Sequence, residues 1–452
     1  MIRSPRSQLG TLELALLSLA LAAISLLAPP RRTPAFRPTQ SPFSEPLSRK
    51  ARLNLFEQVW QIVDRDYYDP SFNGVDWNAV RERYQPRVES AQSDDEFYLV
   101  VREMVGQLHD AHTRFFSPGE REWRRKREAL SAGIHVHGVE GQIVVVGVDP
   151  GSEAARDGIA VGMVVSTIDG KPAADRVAEV RAEVGSSSSE RATALLTYGR
   201  LLMGEPDSIL SLGLVRADGS RFEVKLPRRL VSDAPRVDAR ALPSGLGYIR
   251  FNRFIPPMAG EVRQALERLR DVPGLILDLR GNGGGDLSET ARIAGYFLSR
   301  KTLIARIVTR TGKPPAALMG LVHVPDEFSA GRQGGEVYSG PVAVLVNEGT
   351  GSGAELFAAA MQENSRATIV GRQTCGCVLG ILHQRKLKGG AELDVSEVGF
   401  STARGRRLEG VGITPDKPVP LTLADLRARR DAALEAAVRL VGRQQVGEAG
   451  LR

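Results

Sequence analysis

Two apolar runs in this chain empty into glycine. Gly274–Leu279 leads into Asp278-Leu279-Arg280-Gly281-Asn282-Gly283-Gly284-Gly285, and Val342–Val346 leads into Asn347-Glu348-Gly349-Thr350-Gly351-Ser352-Gly353. Short apolar runs without polar alternation, bounded by turn residues, read as strands buried on both faces. Helical patterns follow at Leu287–Leu298 and Gly353–Gln362. Strand, tight turn and helix in succession require a mainly parallel sheet with helices packed on it. The strand Gly247–Phe251 and the helix Gly260–Leu269 continue the alternation, so about Asp238 to Thr422 is an α/β core. The Gly/Pro-rich stretch Thr311–Gly340 interrupts it as a flap or mobile loop.

At 452 residues the chain exceeds one ordinary core, and two or three domains are expected. The first thirty residues pair a basic start (Arg3, Arg6) with an apolar run, Leu14–Ala28, that ends at Pro29-Pro30. That run suits a signal-peptide core better than a full membrane span, which needs ~20 residues. A cleaved signal and an uncleaved anchor both remain open, with export expected in either case. Residues 31–47, rich in Pro, Arg and Ser, read as a tether. From Ser48 to about Pro118 two helical stripes, around Leu53–Val63 and Phe97–Val105, predict a helical hairpin that ends at Leu108-His109-Asp110-Ala111-His112-Thr113. After about Ala129 the pattern becomes short strands with glycine turns. Leu423–Leu440 predicts a C-terminal helix.

The net charge of +7 is spread along the chain and interleaved with acids, which describes a solvated surface rather than a nucleic-acid footprint. Cys375 and Cys377 are the only cysteines. Their i, i+2 spacing reads as two small residues on one face of a strand. A metal or vicinal redox pair is conceivable at that spacing, but two ligands alone do not build a structural zinc site. No metal or cofactor is expected.

Chemistry concentrates at the two glycine turns. Consecutive glycines at 283–285 permit a backbone path that aims N–H groups into a cleft. Ser352, flanked by glycines where a strand turns into a helix, is exposed beside free N–H groups and the positive end of the helix dipole. Serine is also a common helix cap, so spacing alone leaves nucleophile and cap equally open.

Longer segments break that tie. "VLVNEGTGSGAELFAAAMQENSRATIVGRQT", "LILDLRGNGGG", "LEGVGITPD" and "QLHDAHT" occur in the order found in tail-specific (C-terminal processing) serine peptidases, which the chain resembles over about residues 50–440. The resemblance implies a ClpP/crotonase-like α/β core with an N-terminal helical region and an inserted PDZ-like β-rich domain. The expected divisions are 48–128, 129–230 (PDZ-like), 236–422 (core) and 423–452. Within 129–230, Pro150-Gly151-Ser152-Glu153-Ala154 through Gly158-Ile159, Gly162 and Ile168-Asp169-Gly170 resemble the PDZ signature. Gly133, Ile134 and His135 then fall where a carboxylate-binding loop and its strand would take a C-terminal tail.

The resemblance further implies Ser352 as nucleophile and the N–H groups of Gly285 and Gly353 as the oxyanion hole. Most of the family activate the serine with a lysine twenty-five residues on, and here that position is Cys377. The tricorn-like branch uses a histidine and a glutamate instead, which map to His112 and Glu409. Its serine before the histidine is Ala111 here, so Asp110 or Glu409 would have to orient the imidazole. Glu355 and Gln362 share a helix face that would steady the nucleophile turn. Two readings follow. One is a serine endopeptidase acting on exported polypeptides, with possible inner-membrane attachment through the N-terminus. The other is a weak or inactive relative that binds peptides or apolar ligands.

Overall fold

The computed structural model describes residues 46–449, apart from 313–315, 318–321, 324–325 and 332–336. The leader and nearly all of the tether lie outside the described residues.

Three helices, not two, open the fold: α1 (Arg49–Asp66), α2 (Trp77–Ser90) and α3 (Asp94–Gly106). Each starts on a side-chain cap, from Ser48, Asp76 and Ser93, which satisfies a backbone N–H that the helix leaves without a partner. The expected hairpin missed α2. Its buried stripe of Trp77, Val80, Tyr84 and Val88 has helical spacing but is short and carries Pro86 inside the helix. These helices pack with Phe115, Leu387, Leu393 and Val395. The last four come from a small antiparallel sheet and its flanks, made by β1 (Arg114–Phe116), a strand at Glu392–Asp394 and the strand Gln384–Lys386.

The middle unit follows α4 (Pro118–Lys126). An antiparallel ribbon of β2 (Glu128–Ser131) with Arg229–Ser232 carries the chain out and back. Between these lie β3 (Ile134–Val139), β4 (Gln142–Val148), α5 (Glu153–Arg156), β5 (Val164–Ile168), α6 (Ala173–Val184), α7 (Glu190–Leu201), β6 (Ile209–Val215) and β7 (Arg221–Pro227). The sheet order is β3-β4-β5-β6-β7, which leaves β3 at an edge beside α7.

With Arg229–Ser232 as β8, the core continues through β9 (Val237–Ala241), β10 (Gly247–Phe251), α8 (Met258–Arg268), β11 (Leu275–Asp278), α9 (Leu287–Gly295), β12 (Thr302–Thr309) and β13 (Glu327–Ala330). It ends with β14 (Val342–Val346), α10 (Gly353–Glu363), β15 (Thr368–Gly371), β16 (Glu392–Asp394) and β17 (Val398–Thr402). The main sheet runs β9-β10-β11-β14-β15 and closes with Lys417–Pro418. Only the β9–β10 pair is antiparallel. A second sheet joins β13, β12, β17 and Leu379–Gly380.

The central strands β11 and β14 are buried along their whole length, as their unalternating sequences require. Leu277, Val344, Phe254 and Phe357 meet in one core between the sheet and α8–α10. Burying Phe357 completely contributes about 1.5–3 kcal/mol. The predicted single C-terminal helix is two, α11 (Leu423–Arg427) and α12 (Ala432–Ala449), broken at Arg429 with φ 53°. The second packs on the other sheet face through Ala437 and Val441. Within Thr311–Gly340 the described residues include β13 and short strands at Ala316–Ala317 and Val322–His323.

Candidate active site

Both glycine turns stand at the C-terminal ends of the adjacent parallel strands β11 and β14. The second turn throws Ser352 into φ 52°, ψ −124°, a region L-residues rarely occupy. Strain of that kind persists only where surrounding bonds enforce it. Here the Ser352 N–H donates to Cys377 O at 2.8 Å and to Glu355 Oε2 at 3.1 Å, and Gly351 N–H donates to Asn282 O at 3.0 Å. Ser352 itself is only half-buried, at the N-terminus of α10.

The first turn lies directly against it. A Cβ on Gly284 would come within 2.5 Å of Gly353 N and 2.8 Å of Ser352 Cβ, so only glycine fits. Phe254 N–H donates to Gly284 O (2.9 Å), and Asp286 N–H donates to Phe254 O (2.6 Å). Because alternate residues of an extended segment face opposite sides, Gly285 turns its own N–H away from Phe254. Gly285 lies close to Gly353, where a Cβ would stand 3.4 Å from Gly285 N. Among the described residues, neither the Gly285 nor the Gly353 N–H has an acceptor within the chain. Two backbone N–H groups without acceptors therefore stand close to a strained serine.

Glu355, buried one turn into α10, ties the site together. Its carboxylate accepts from Ser352 N, Thr374 Oγ1 (2.5 Å), Gly376 N (2.8 Å) and Cys377 N (3.0 Å). Burial holds this carboxyl above its usual range, and the four donors oppose that rise. With its lone-pair positions taken by donors, it is held as an acceptor. Gln362, expected to share that task, instead bonds Thr414 O and Asp416.

The structure brings the other predicted residues into the neighbourhood without linking them into a chain. Ala111 packs against Cys375 and Cys377, which places the His112 segment beside the loop that holds Ser352. His112 Nδ1 is enclosed and has no hydrogen-bond partner. Burial holds its imidazole down at about 4, against the upward pull of Asp110. Asp110 does not orient the ring. It accepts from the backbone N–H groups of His112 and Thr113 (both 2.6 Å) and from the hydroxyls of Thr113 and Ser396. Glu409 Oε2 accepts from Val378 N at 2.5 Å. Burial raises the Glu409 carboxyl to about 7, despite Ser188 and the Val378 N–H, and nearby Asp110 and Glu355 add to the rise.

Cys375 and Cys377 form a disulfide in an irregular loop, not a same-face pair on a strand. Gly376 between them takes φ +72°, which breaks the alternation that a strand would impose. A disulfide sulfur is bonded to its partner and, unlike a thiolate, is scarcely basic, so in this state Cys377 cannot serve as a base. Lys386 and Lys388 are exposed beside the N-terminal helices.

Sequence reasoning missed Ser188 and Ser189. The Ser188 hydroxyl accepts from Ala111 N (3.0 Å), and Ser189 Oγ donates to Cys375 O (2.5 Å). Nothing in spacing could pair residues so far apart along the chain. In the middle unit, Gly133 has φ +78°, and a Cβ there would meet Ser152 Cβ at 2.6 Å. Its N–H donates to Ser131 Oγ (2.9 Å), while Ile134 pairs with Val148 and His135 Nε2 bonds Asp149 (2.8 Å). These three residues line a cleft of ≈ 1610 Å³ that extends to Gly281, Asn347, Glu348 and Arg372 of the core. Among the described residues no cluster of His, Cys, Asp and Glu could hold a metal ion, and no helix is long and apolar enough to cross a membrane.

Comparison with known proteins places these features in context. Peptidase family S41 matches residues 245–419, and the Tricorn protease C1 domain matches residues 48–106. The chain is 32% identical over 380 residues to the chloroplastic carboxyl-terminal-processing peptidase 2 of Arabidopsis thaliana, covering 81% of this chain and 68% of that protein. It is 30% identical over 388 residues to the chloroplastic C-terminal processing peptidase of Tetradesmus obliquus, covering 80% and 76%. The solved structure of a photosystem II D1 C-terminal processing protease superposes with a TM-score of 0.56 at 26% identity, over 87% of this chain and 97% of that one. Mature CPAF shares the fold with a TM-score of 0.66 at 16% identity, over 89% and 98%. With two relatives at this level across four-fifths of its length, the chain belongs to peptidase family S41, the carboxyl-terminal-processing peptidases, and is a serine-type peptidase.

Proposed function

We propose that this peptidase is an endopeptidase of exported polypeptides in which Ser352 attacks the scissile carbonyl. The observation that carries the reading is the strained Ser352 turn with the unengaged N–H groups of Gly285 and Gly353 beside it. Those donors would hold the oxyanion of the tetrahedral intermediate, a contribution worth about 2.7–4 kcal/mol per donor. His112, neutral above about pH 4, would accept the serine proton and pass it to the leaving amine. Glu409, once ionised, would stabilise the imidazolium. His112 Nδ1 has no hydrogen-bond partner in the present orientation, and substrate entry would have to draw the ring toward Ser352.

The core is read as ClpP/crotonase-like and the middle unit as an inserted PDZ-like domain spanning about 129–230. Its edge strand β3 beside α7 leaves a row of backbone groups open for an added peptide strand. Gly133, Ile134 and His135 stand at the head of that groove and would receive a C-terminal tail.

A second reading, a peptide-binding relative with little catalysis, draws on the absence of a His112–Ser352 hydrogen bond and on the disulfide at the usual lysine position. Hydrolysis of an unstructured protein by wild type, Ser352→Ala, His112→Ala and Cys377→Ala separates the two. Loss in Ser352→Ala and His112→Ala supports the histidine mechanism, and an active His112→Ala refutes it. A wild type no faster than Ser352→Ala leaves the binding reading.

A further inference from the structure

The loop Thr374–Val378 touches nearly every part of the site. Cys375 N–H donates to Thr350 O (2.9 Å), and Cys377 O accepts from Ser352 N (2.8 Å). Gly376 N and Cys377 N donate to Glu355, and Val378 N donates to Glu409. From the middle unit, Ser189 Oγ donates to Cys375 O, and Arg191 Nε donates to Thr374 O (2.6 Å). The disulfide closes the centre of this loop, with both cysteines buried against Ala111, Ala192 and Leu195.

We infer that Cys375–Cys377 is a reversible thiol–disulfide exchange site that assembles the nucleophile turn when oxidised and releases it when reduced. The inference rests on the peptidase reading above. In reduction, a thiolate of a small dithiol attacks one sulfur and forms a mixed disulfide, and the reagent's second thiol displaces the protein. Two electrons and two protons pass to Cys375 and Cys377, and the reagent leaves as its cyclic disulfide. The freed sulfurs must then separate to van der Waals contact in a packed pocket, so the loop backbone has to absorb the added volume. That backbone supplies the Ser352 acceptor and two of the four Glu355 donors, so the strained serine loses part of what holds it.

Thiols stay reduced in the cytosol and pair in extracytoplasmic compartments. A peptidase built this way is slack where it is made and completed where it works.

The test treats the purified full chain with dithiothreitol under native conditions. Thiols are counted by the mass shift with N-ethylmaleimide, and β-casein hydrolysis is followed beside Ser352→Ala. The expected result is two alkylated thiols, unchanged circular dichroism, a fall in kcat of about tenfold or more, and recovery on reoxidation with diamide. KM should change by less than about twofold, as expected when a transition-state contact rather than uniform binding is lost. Cys375→Ser/Cys377→Ser should match the reduced wild type and ignore dithiothreitol. Two thiols with unchanged kcat, no thiol released without unfolding, or a double variant as fast as the oxidised enzyme would each overturn the inference. An oxidised wild type no faster than Ser352→Ala overturns the peptidase reading and the inference together, and is recognised by silence in both redox states.

Discussion

His137 Nε2 lies 3.4 Å from Glu348 Oε1, without a hydrogen bond between them, which sets a strand of the middle unit against the turn four residues ahead of Ser352. The His137 ring stacks on Tyr198 of α7 at 4.8 Å, and Glu348 forms two 2.8 Å bonds with Arg372. Glu348 is half-buried, and although that burial raises its carboxyl, Arg372 holds it below the usual range. Removing the carboxylate leaves a half-buried guanidinium without its partner. Glu348→Ala should therefore lose about 2–3 kcal/mol, whereas His137→Ala should lose about 1 kcal/mol, its stack on Tyr198 included. Urea unfolding of both variants checks the contrast. Equal losses would show that Glu348 matters through His137 rather than through Arg372.

The oxyanion geometry predicts an activity defect with little change of fold. Gly284→Ala forces a Cβ to within 2.5 Å of Gly353 N at φ +88°. The displaced donor should lower kcat about a hundredfold, by the size of an oxyanion-hole loss. Steady-state kinetics beside circular dichroism would show it, and an unimpaired kcat would remove Gly353 from the proposed role.

Glu355 gives a third expectation. In Glu355→Gln an amide NH₂ replaces an oxygen that accepts two donors, so donors face donors in a closed space. The variant should be destabilised by about 1–3 kcal/mol and lose activity, because the Ser352 and Cys377 N–H groups both turn toward that carboxylate. A melting temperature equal to wild type would sink this account.

Two titrations with opposite signs follow from burial. His112 is held at about 4, below its ordinary 6.5, so its contribution to stability is present above 6.5 and is lost as pH falls through about 4. Glu409 is raised from 4.5 to about 7, so its contribution is present below 4.5 and is lost as pH rises through about 7. Under the proposed histidine mechanism the order matters, because His112 is already neutral when Glu409 ionises. kcat/KM should rise with an apparent pKa near 7, and Glu409→Gln should flatten that limb. A limb that persists in Glu409→Gln would assign it to another group.

How much was legible in sequence depends on how far apart the partners lie. The Ser352 turn was readable because strand, glycines, serine and helix are contiguous, and β11 and β14 because continuous apolar runs have few alternatives. The helix α2 was obscured by Pro86, and the broken C-terminal helix by a positive φ at Arg429 that no local residue type announces. Cys375 and Cys377 were read by strand alternation, which the left-handed Gly376 cancels. The contacts of Ser188 with Ala111 and of Glu409 with Val378 arise only after folding joins distant segments. His112 could be placed near Ser352 by resemblance, but its unbonded Nδ1 could not.

The ribbon of β2 and β8 has a practical corollary. Ser131 pairs directly with Arg229, so the outgoing and returning chain stand side by side where the middle unit begins. A tight two-residue turn could splice them, because antiparallel partners need no longer connection. Deletion at this junction would leave the strands that carry Ser352 unbroken in sequence, while removing Ser189 and Arg191 from the loop at Thr374 and Cys375. The same junction would accept a foreign recognition module whose ends lie a strand's width apart.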